Sequence, residues 1–208
     1  IINKIPVIIC GKPGKSKTLS FEIVQESLKG KASKFAFCRK YPPLIPFKIQ
    51  GSLNTTSEEI LNVFNKGRKF QMKNSEKGNE KLAVVFMDEM GLAEISENNP
   101  LKVMHAELEQ ETDKIAFVGI SNWFIDASKM NRVIYNVAQD SDEADLIHTG
   151  EEIARSYEKI EENFNSDKYE YLISRLSKAY YKFITEKKDK NQYFHGSRDF
   201  YSLIKSIK

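Results

Sequence analysis

Cysteine is nearly absent from this chain. Two residues, Cys10 and Cys38, among 208 cannot make a disulfide framework, and with three histidines no zinc-ligand cluster is in view. A reducing, cytoplasmic setting is expected. Long apolar runs are missing as well. The longest, Leu82 to Met87, falls far short of the roughly 20 residues a membrane helix needs, and no signal-peptide pattern is present, so no membrane span is expected. Nor is charge of one sign in excess: 32 basic and 29 acidic residues leave +3, which argues neither for nor against an anionic partner. The chain starts at Ile1, not Met, and leads almost at once into a core strand, so it reads as a segment of something larger.

What is present is enough sequence for one α/β domain and a smaller helical one. Ile5, Val7, Ile8, Ile9 and Cys10 form a β-rich run, and Leu19, Ile23, Val24 and Leu28 follow at helical spacing. Between them lies Gly11-Lys12-Pro13-Gly14-Lys15-Ser16-Lys17-Thr18, a phosphate-binding loop in its strand, loop, helix context. Backbone N–H groups of such a loop converge on phosphate oxygens at a positive helix terminus. Lys17 is then expected to reach the β- and γ-phosphates and Thr18 to ligate Mg²⁺. Ser16 stands where the general motif has Gly.

Gly30 is expected to close the following helix. Lys31 to Tyr41 interleaves Lys34, Arg39 and Lys40 with Phe35, Phe37 and Tyr41. Such a mixture suits nucleic acid, but aromatics in a connecting segment usually pack on their own domain, so nucleic acid is not an expected partner. Pro46 limits the second strand to Phe47–Gln50, and Thr56 with Glu59 announces a capped helix burying Ile60, Val63 and Phe64. Gln71 to Lys81 reads as an exposed loop.

Leu82 to Met87 is apolar at every position, as a central parallel strand covered on both faces would be, and it ends in Asp88-Glu89. Carboxylates at that end of a buried strand are where an open α/β sheet places ligand chemistry. Asp88 is expected to hold the Mg²⁺ shell and Glu89 to polarise an attacking water. His105, on or beside a buried helical face, reads as a packed histidine. Ile115 to Ile120 forms another core strand ending in Ser121-Asn122, where Asn122 either orients the water or touches the γ-phosphate, or only shapes the turn, and Trp123 is expected to pack. A short helix over 126–130 leads to Arg132, then Val133 to Val137 as the last strand. From Asp140 the pattern is helical only: Leu146, Ile153, Tyr157, Ile160 and Phe164 make one stripe, and Leu172, Leu176, Ala179, Tyr180 and Phe183 a second. Glu186 to Gln192 is a charged connector, and Ser197 is expected to cap a last helix with Arg198 in its first turn. The expected division is 1–138 and 139–208.

These blocks resemble a family, the mysterin-type AAA+ proteins, giant ring ATPases that carry a ubiquitin-ligase module in the same polypeptide. The likeness rests on Gly11-Lys12-Pro13-Gly14 with Ser16-Lys17-Thr18, Asp88-Glu89-Met90-Gly91-Leu92-Ala93-Glu94, Gly119-Ile120-Ser121-Asn122-Trp123, Lys129-Met130-Asn131-Arg132, and Arg198-Asp199-Phe200-Tyr201-Ser202-Leu203-Ile204-Lys205. It implies an AAA+ P-loop NTPase: a central parallel sheet flanked by helices, with a small C-terminal helical lid. It also implies ATP held by Gly11, Lys12, Pro13, Gly14, Lys15, Ser16, Lys17, Thr18 and Leu19, and Mg²⁺ by Thr18 and Asp88. Glu89 would be catalytic, Asn122 sensor 1, Arg132 a finger offered to a neighbouring unit, and Arg198 sensor 2 from the lid. The family tolerates Ser16. Neighbouring AAA+ units are the implied partners, with ubiquitin-system partners reached through a parent protein. Two alternatives stay open: a nucleotide-gated structural module with little turnover, and a nucleic-acid-handling ATPase.

Overall fold

In a computed structural model, five short strands form one parallel sheet in the order β2-β3-β4-β1-β5. The structure describes residues 1–74, 80–110, 112, 114–126, 132–158, 169–186 and 196–207. It divides into two compact units, 1–12 with 16–138 and 13–15 with 139–208.

The first unit runs β1 (Val7–Cys10), α1 (Lys17–Ser27), β2 (Leu44–Gln50), α2 (Ser57–Lys73), β3 (Leu82–Asp88), α3 (Met90–Glu94), α4 (Met104–Glu109), β4 (Ala116–Ser121) and β5 (Ile134–Val137). β3 is an inner strand between β2 and β4, and its side chains alternate between two apolar clusters as a pleated strand must. Ala83, Val85 and Met87 join Ile60, Phe64 and Phe117 on the α2 side. Leu82, Val84 and Phe86 join Phe21 and Leu28 on the α1 side. Phe21 stacks on Phe86 with centroids 4.0 Å apart. Each such buried ring stabilises the fold by about 2–3 kcal/mol relative to exposure. Thr56 and Glu59 close their capping box, Glu59 N donating to Thr56 Oγ1 at 3.3 Å and Thr56 N to Glu59 Oε2 at 2.9 Å.

Four sequence expectations are corrected in this unit. β2 begins at Leu44 and runs through Pro46. Gly51 N donates to Asp88 O and Leu44 N to Leu28 O, so odd-numbered amides face β3 and even-numbered ones face away. Pro46 therefore removes no ladder bond, and β2 is an edge strand where proline is allowed. On α1, Phe21 and Leu28 are buried while Leu19 and Ile23 are 52% and 57% exposed. Lys17 must point inward, and at 3.6 residues per turn Leu19 and Ile23 then lie about 200° and 240° around the helix. Gly30 has a left-handed φ of 60°, but the helix ends earlier, with Leu28 as its C-cap. Gln71 belongs to α2, not to a loop: its side-chain amide donates to Lys81 O and accepts from Ala83 N, both at 2.8 Å.

The second unit holds α5 (Glu143–Glu158), α6 (Glu170–Glu186) and α7 (Ser197–Lys205), packed through Leu146, Ala154, Ile173, Phe200 and Ile204. The α6 stripe is turned by one residue from the expected one. Ile173 and Ser177 are its buried positions, and Leu172 is 42% exposed. Gly150 of α5 explains the shift, since a Cβ there would lie 2.7 Å from Ile173 Cγ2; that close approach admits only a small residue, and Ser177 meets it by donating to Ile173 O at 2.8 Å. Helix α7 is capped by Gly196, not by Ser197: Gly196 N donates to Asp199 Oδ2 at 2.9 Å. Asp199 thereby offsets Arg198 in the same first turn.

All but Asp126 of the expected helix over 126–130, with it Lys129 and Met130, the residue Asn131, the stripe positions Ile160 and Phe164, and all but Glu186 of the charged connector lie outside the described residues; for Tyr157 only the backbone is described. No described helix is long and apolar enough to cross a membrane.

Candidate functional site

Strands β1, β3 and β4 deliver their carboxyl ends side by side, and five of the candidate residues meet there. Lys17, only 6% exposed, donates from Nζ to Gly11 O at 2.6 Å, Lys12 O at 2.9 Å and Asn122 Oδ1 at 3.0 Å. Asn122 Nδ2 in turn donates to Glu89 Oε2 at 2.7 Å. Only this orientation of the amide serves both neighbours, since ammonium can only donate and carboxylate only accept. Thr18 Oγ1 donates to Asp88 Oδ2 at 3.1 Å, and Glu89 N to Asp88 Oδ1 at 2.8 Å. The result is a continuous polar chain from Thr18 through Asp88, Glu89 and Asn122 to Lys17.

One of its members, Glu89, and the residue before Lys17, Ser16, carry backbone strain. Glu89, at φ 51°, begins α3, and Ser16, at φ 52°, begins α1. Left-handed conformations at non-glycine residues cost on the order of 1–3 kcal/mol and gather at functional sites. Ser16 is thus a serine bent into the shape that the general motif obtains from glycine. Gly14 supplies a further left-handed step at φ 83°.

Sequence reasoning passed over two supports of the site. Ser121 is fully buried; its hydroxyl donates to Trp123 O at 2.5 Å and accepts from Trp123 N at 3.3 Å, which fixes the turn presenting Asn122. Trp123 lies close against Gly91, where a Cβ would come 2.5 Å from the indole. The signal was there in the block Met90-Gly91-Leu92, since no larger residue fits beneath that ring. Cys10 is buried beside this end of the sheet; burial pushes its thiol up, and the Lys17 charge partly opposes the rise.

The other candidates stand elsewhere. Leu19 is on the exposed side of α1. Arg132 pairs with Glu109, both about half exposed. Pro13, Gly14 and Lys15 cluster with the second unit, in which Lys15 pairs with Asp140 at 3.3 Å. Arg198 lies on α7, and a Cβ on Gly14 would sit 3.4 Å from its backbone nitrogen.

A family model described as the RNF213 AAA domain matches residues 1–145. The chain belongs to that family. The mouse E3 ubiquitin-protein ligase RNF213 (Mus musculus) is 38% identical over 214 residues, and the human protein (Homo sapiens) 34% over 212. Zebrafish (Danio rerio) E3 ubiquitin-protein ligase rnf213-beta is 35% identical over 214 residues. Each comparison covers 98% of this chain and 4% of the relative, so the chain spans a small fraction of the RNF213 proteins it matches. Among solved structures, C. elegans PCH-2 superposes with a TM-score of 0.58 at 12% identity, covering 98% of this chain and 61% of that one. The mysterin-type AAA module and the AAA+ fold expected from the motifs are therefore shown.

Proposed function

We propose that this chain is a Mg²⁺-dependent ATP-binding and ATP-hydrolysing unit of a larger ring ATPase of the RNF213 type. The carrying observation is the polar chain joining Lys17, Asn122 and Glu89 at the strand ends, with Thr18 and Asp88 beside it. Thr18 and Asp88 are hard oxygen donors 3.1 Å apart, the donor type that Mg²⁺ takes. Bound there, Mg²⁺ supplies charge neutralisation to the phosphates.

The loop N–H groups from Gly11 to Leu19, Pro13 having none, bind and orient the triphosphate, and Lys17 exchanges its bonds to Gly11 O, Lys12 O and Asn122 Oδ1 for phosphate oxygens. That exchange frees the Asn122 amide, and with it Glu89, whose carboxylate then takes a proton from water. Arg132 serves a neighbouring unit: its pair with Glu109 is exposed, worth about 0–1 kcal/mol, and yields to a triphosphate. Arg198 is the cation of the helical unit for the same chemistry. A trans arginine contributes on the order of 10³ to 10⁵ in rate, so the isolated chain binds ATP and turns it over slowly. Partners are neighbouring AAA+ units, and ubiquitin-system proteins reached through the longer chain, in the cytoplasm, where Cys10 and Cys38 stay free thiols.

The test is calorimetric titration of ATP, ADP and GTP with Mg²⁺ into the chain and its Lys17→Ala form. ATP and ADP bind the native loop, and Lys17→Ala loses at least about a hundredfold in affinity. Equal binding by both forms overturns the proposal.

A further inference from the structure

One stretch singled out in the sequence is not absorbed by the nucleotide site. From Ser27 to Ser57 the chain has no Asp or Glu but six cations: Lys29, Lys31, Lys34, Arg39, Lys40 and Lys48. In its middle Phe35 and Phe37 are 59% and 66% exposed. The expectation that these rings pack on their own domain fails, for only Cys38 and Tyr41 of the segment join the apolar cluster below.

Exposure here is not looseness. Phe35 N donates to Ser33 Oγ at 3.1 Å, and Arg39 donates from Nε to Ser33 O at 2.8 Å and from Nη2 to Lys34 O at 3.3 Å. The Phe37 ring meets Tyr41 edge-on, with centroids 5.2 Å apart. Arg39 is thus spent on shaping the loop, while Lys31, Lys34 and Lys40 are exposed. A rigid loop that presents rings and cations loses little entropy on binding.

We infer that residues 31–40 form a platform for single-stranded nucleic acid, with Phe35 and Phe37 stacking on bases and Lys31, Lys34 and Lys40 meeting phosphates. Two residues of chain span at most about 7 Å, so both rings serve one strand. An acidic peptide satisfies the lysines and an apolar one the rings; a single strand offers negative charge and a flat apolar face at every unit. Every base has such a face, so binding is sequence-tolerant.

The test is fluorescence anisotropy of labelled 20-nucleotide dT and rU with the 208-residue chain between about 50 and 200 mM salt. Three phosphate contacts give a slope of log K against log salt near −2 for a single strand, about −0.7 per contact. Phe35→Ser with Phe37→Ser weakens binding at least about thirtyfold at an unchanged slope. Replacing Lys31, Lys34 and Lys40 by Gln flattens the slope, and thermal melts followed by circular dichroism verify that both variants stay folded. No binding, binding indifferent to the two rings, or tighter binding of a glutamate-rich peptide than of dT overturns the inference; the last result assigns the surface to an acidic protein.

Discussion

The first unit buries two polar clusters that look alike in composition and differ in purpose. One is the Lys17, Asn122 and Glu89 chain at the strand ends. The other joins α2 to α4, where Arg68 pairs with Glu107, 13% and 6% exposed at their side chains. Arg68 also donates to Asn65 Oδ1 at 3.1 Å and lies over the Phe64 ring at 5.7 Å. Its charge is met by a carboxylate on a neighbouring helix, and both backbones are ordinary helix. That cluster braces two helices. At the strand ends, by contrast, a neutral amide stands between cation and carboxylate, and the backbone is strained at Glu89 and Ser16. Strain and an exchangeable bridge mark a place built to rearrange; mutual neutralisation marks one built to stay.

Mutations can break that contrast. The largest effect is expected from Glu89→Gln, which lowers steady-state ATP turnover by about 10²- to 10⁴-fold while ATP affinity in titration stays near native; unchanged turnover would favour a nucleotide-gated module. Next, Glu107→Ala leaves Arg68 buried without its carboxylate and costs about 3–5 kcal/mol in urea unfolding, with ATP affinity little altered in the folded protein. If this variant lost nucleotide binding instead, the bracing role would be wrong. A smaller effect of opposite sign follows from Ser16→Gly, which relieves a left-handed serine and raises stability by about 1 kcal/mol; a loss of stability would mean that the hydroxyl matters more than the strain. The last effect is alkaline and leaves stability at neutral pH untouched. The Cys10 thiol is raised by burial, so its contribution is present below the ordinary thiol range and is lost as pH climbs through the raised value. Stability should fall there by up to about 1.4 kcal/mol per pH unit, with a shallower slope in Cys10→Ala.

Much of this was legible in the chain. An unbroken apolar strand has one home in an α/β sheet, so β3 and its carboxylates followed from Leu82 to Glu89. The Thr56 box was readable because its partners lie three residues apart. What escaped depended on tertiary contact. The rotation of α1 is set by Lys17 turning inward, which hydrophobic spacing cannot register. On α6 the buried stripe runs through Ser177, a polar residue chosen for size opposite Gly150. Phe35 and Phe37 look like core residues by type, and only the fold reveals that their own unit leaves more than half of each uncovered. Within the site, Lys17, Thr18, Asp88, Glu89 and Asn122 converge because each closes or follows a strand of one sheet; Arg132 and Arg198 are tied to no such end, and their places were not deducible from spacing.

Pro46 has a consequence beyond permitting β2. It puts a position without a donor on the outward margin of the sheet, amid amides that would otherwise accept a further strand. A foreign strand arriving there meets a gap in the hydrogen-bond comb and the pyrrolidine ring beside it. Such a blunted margin keeps the sheets of two copies of this chain from zipping together edge to edge.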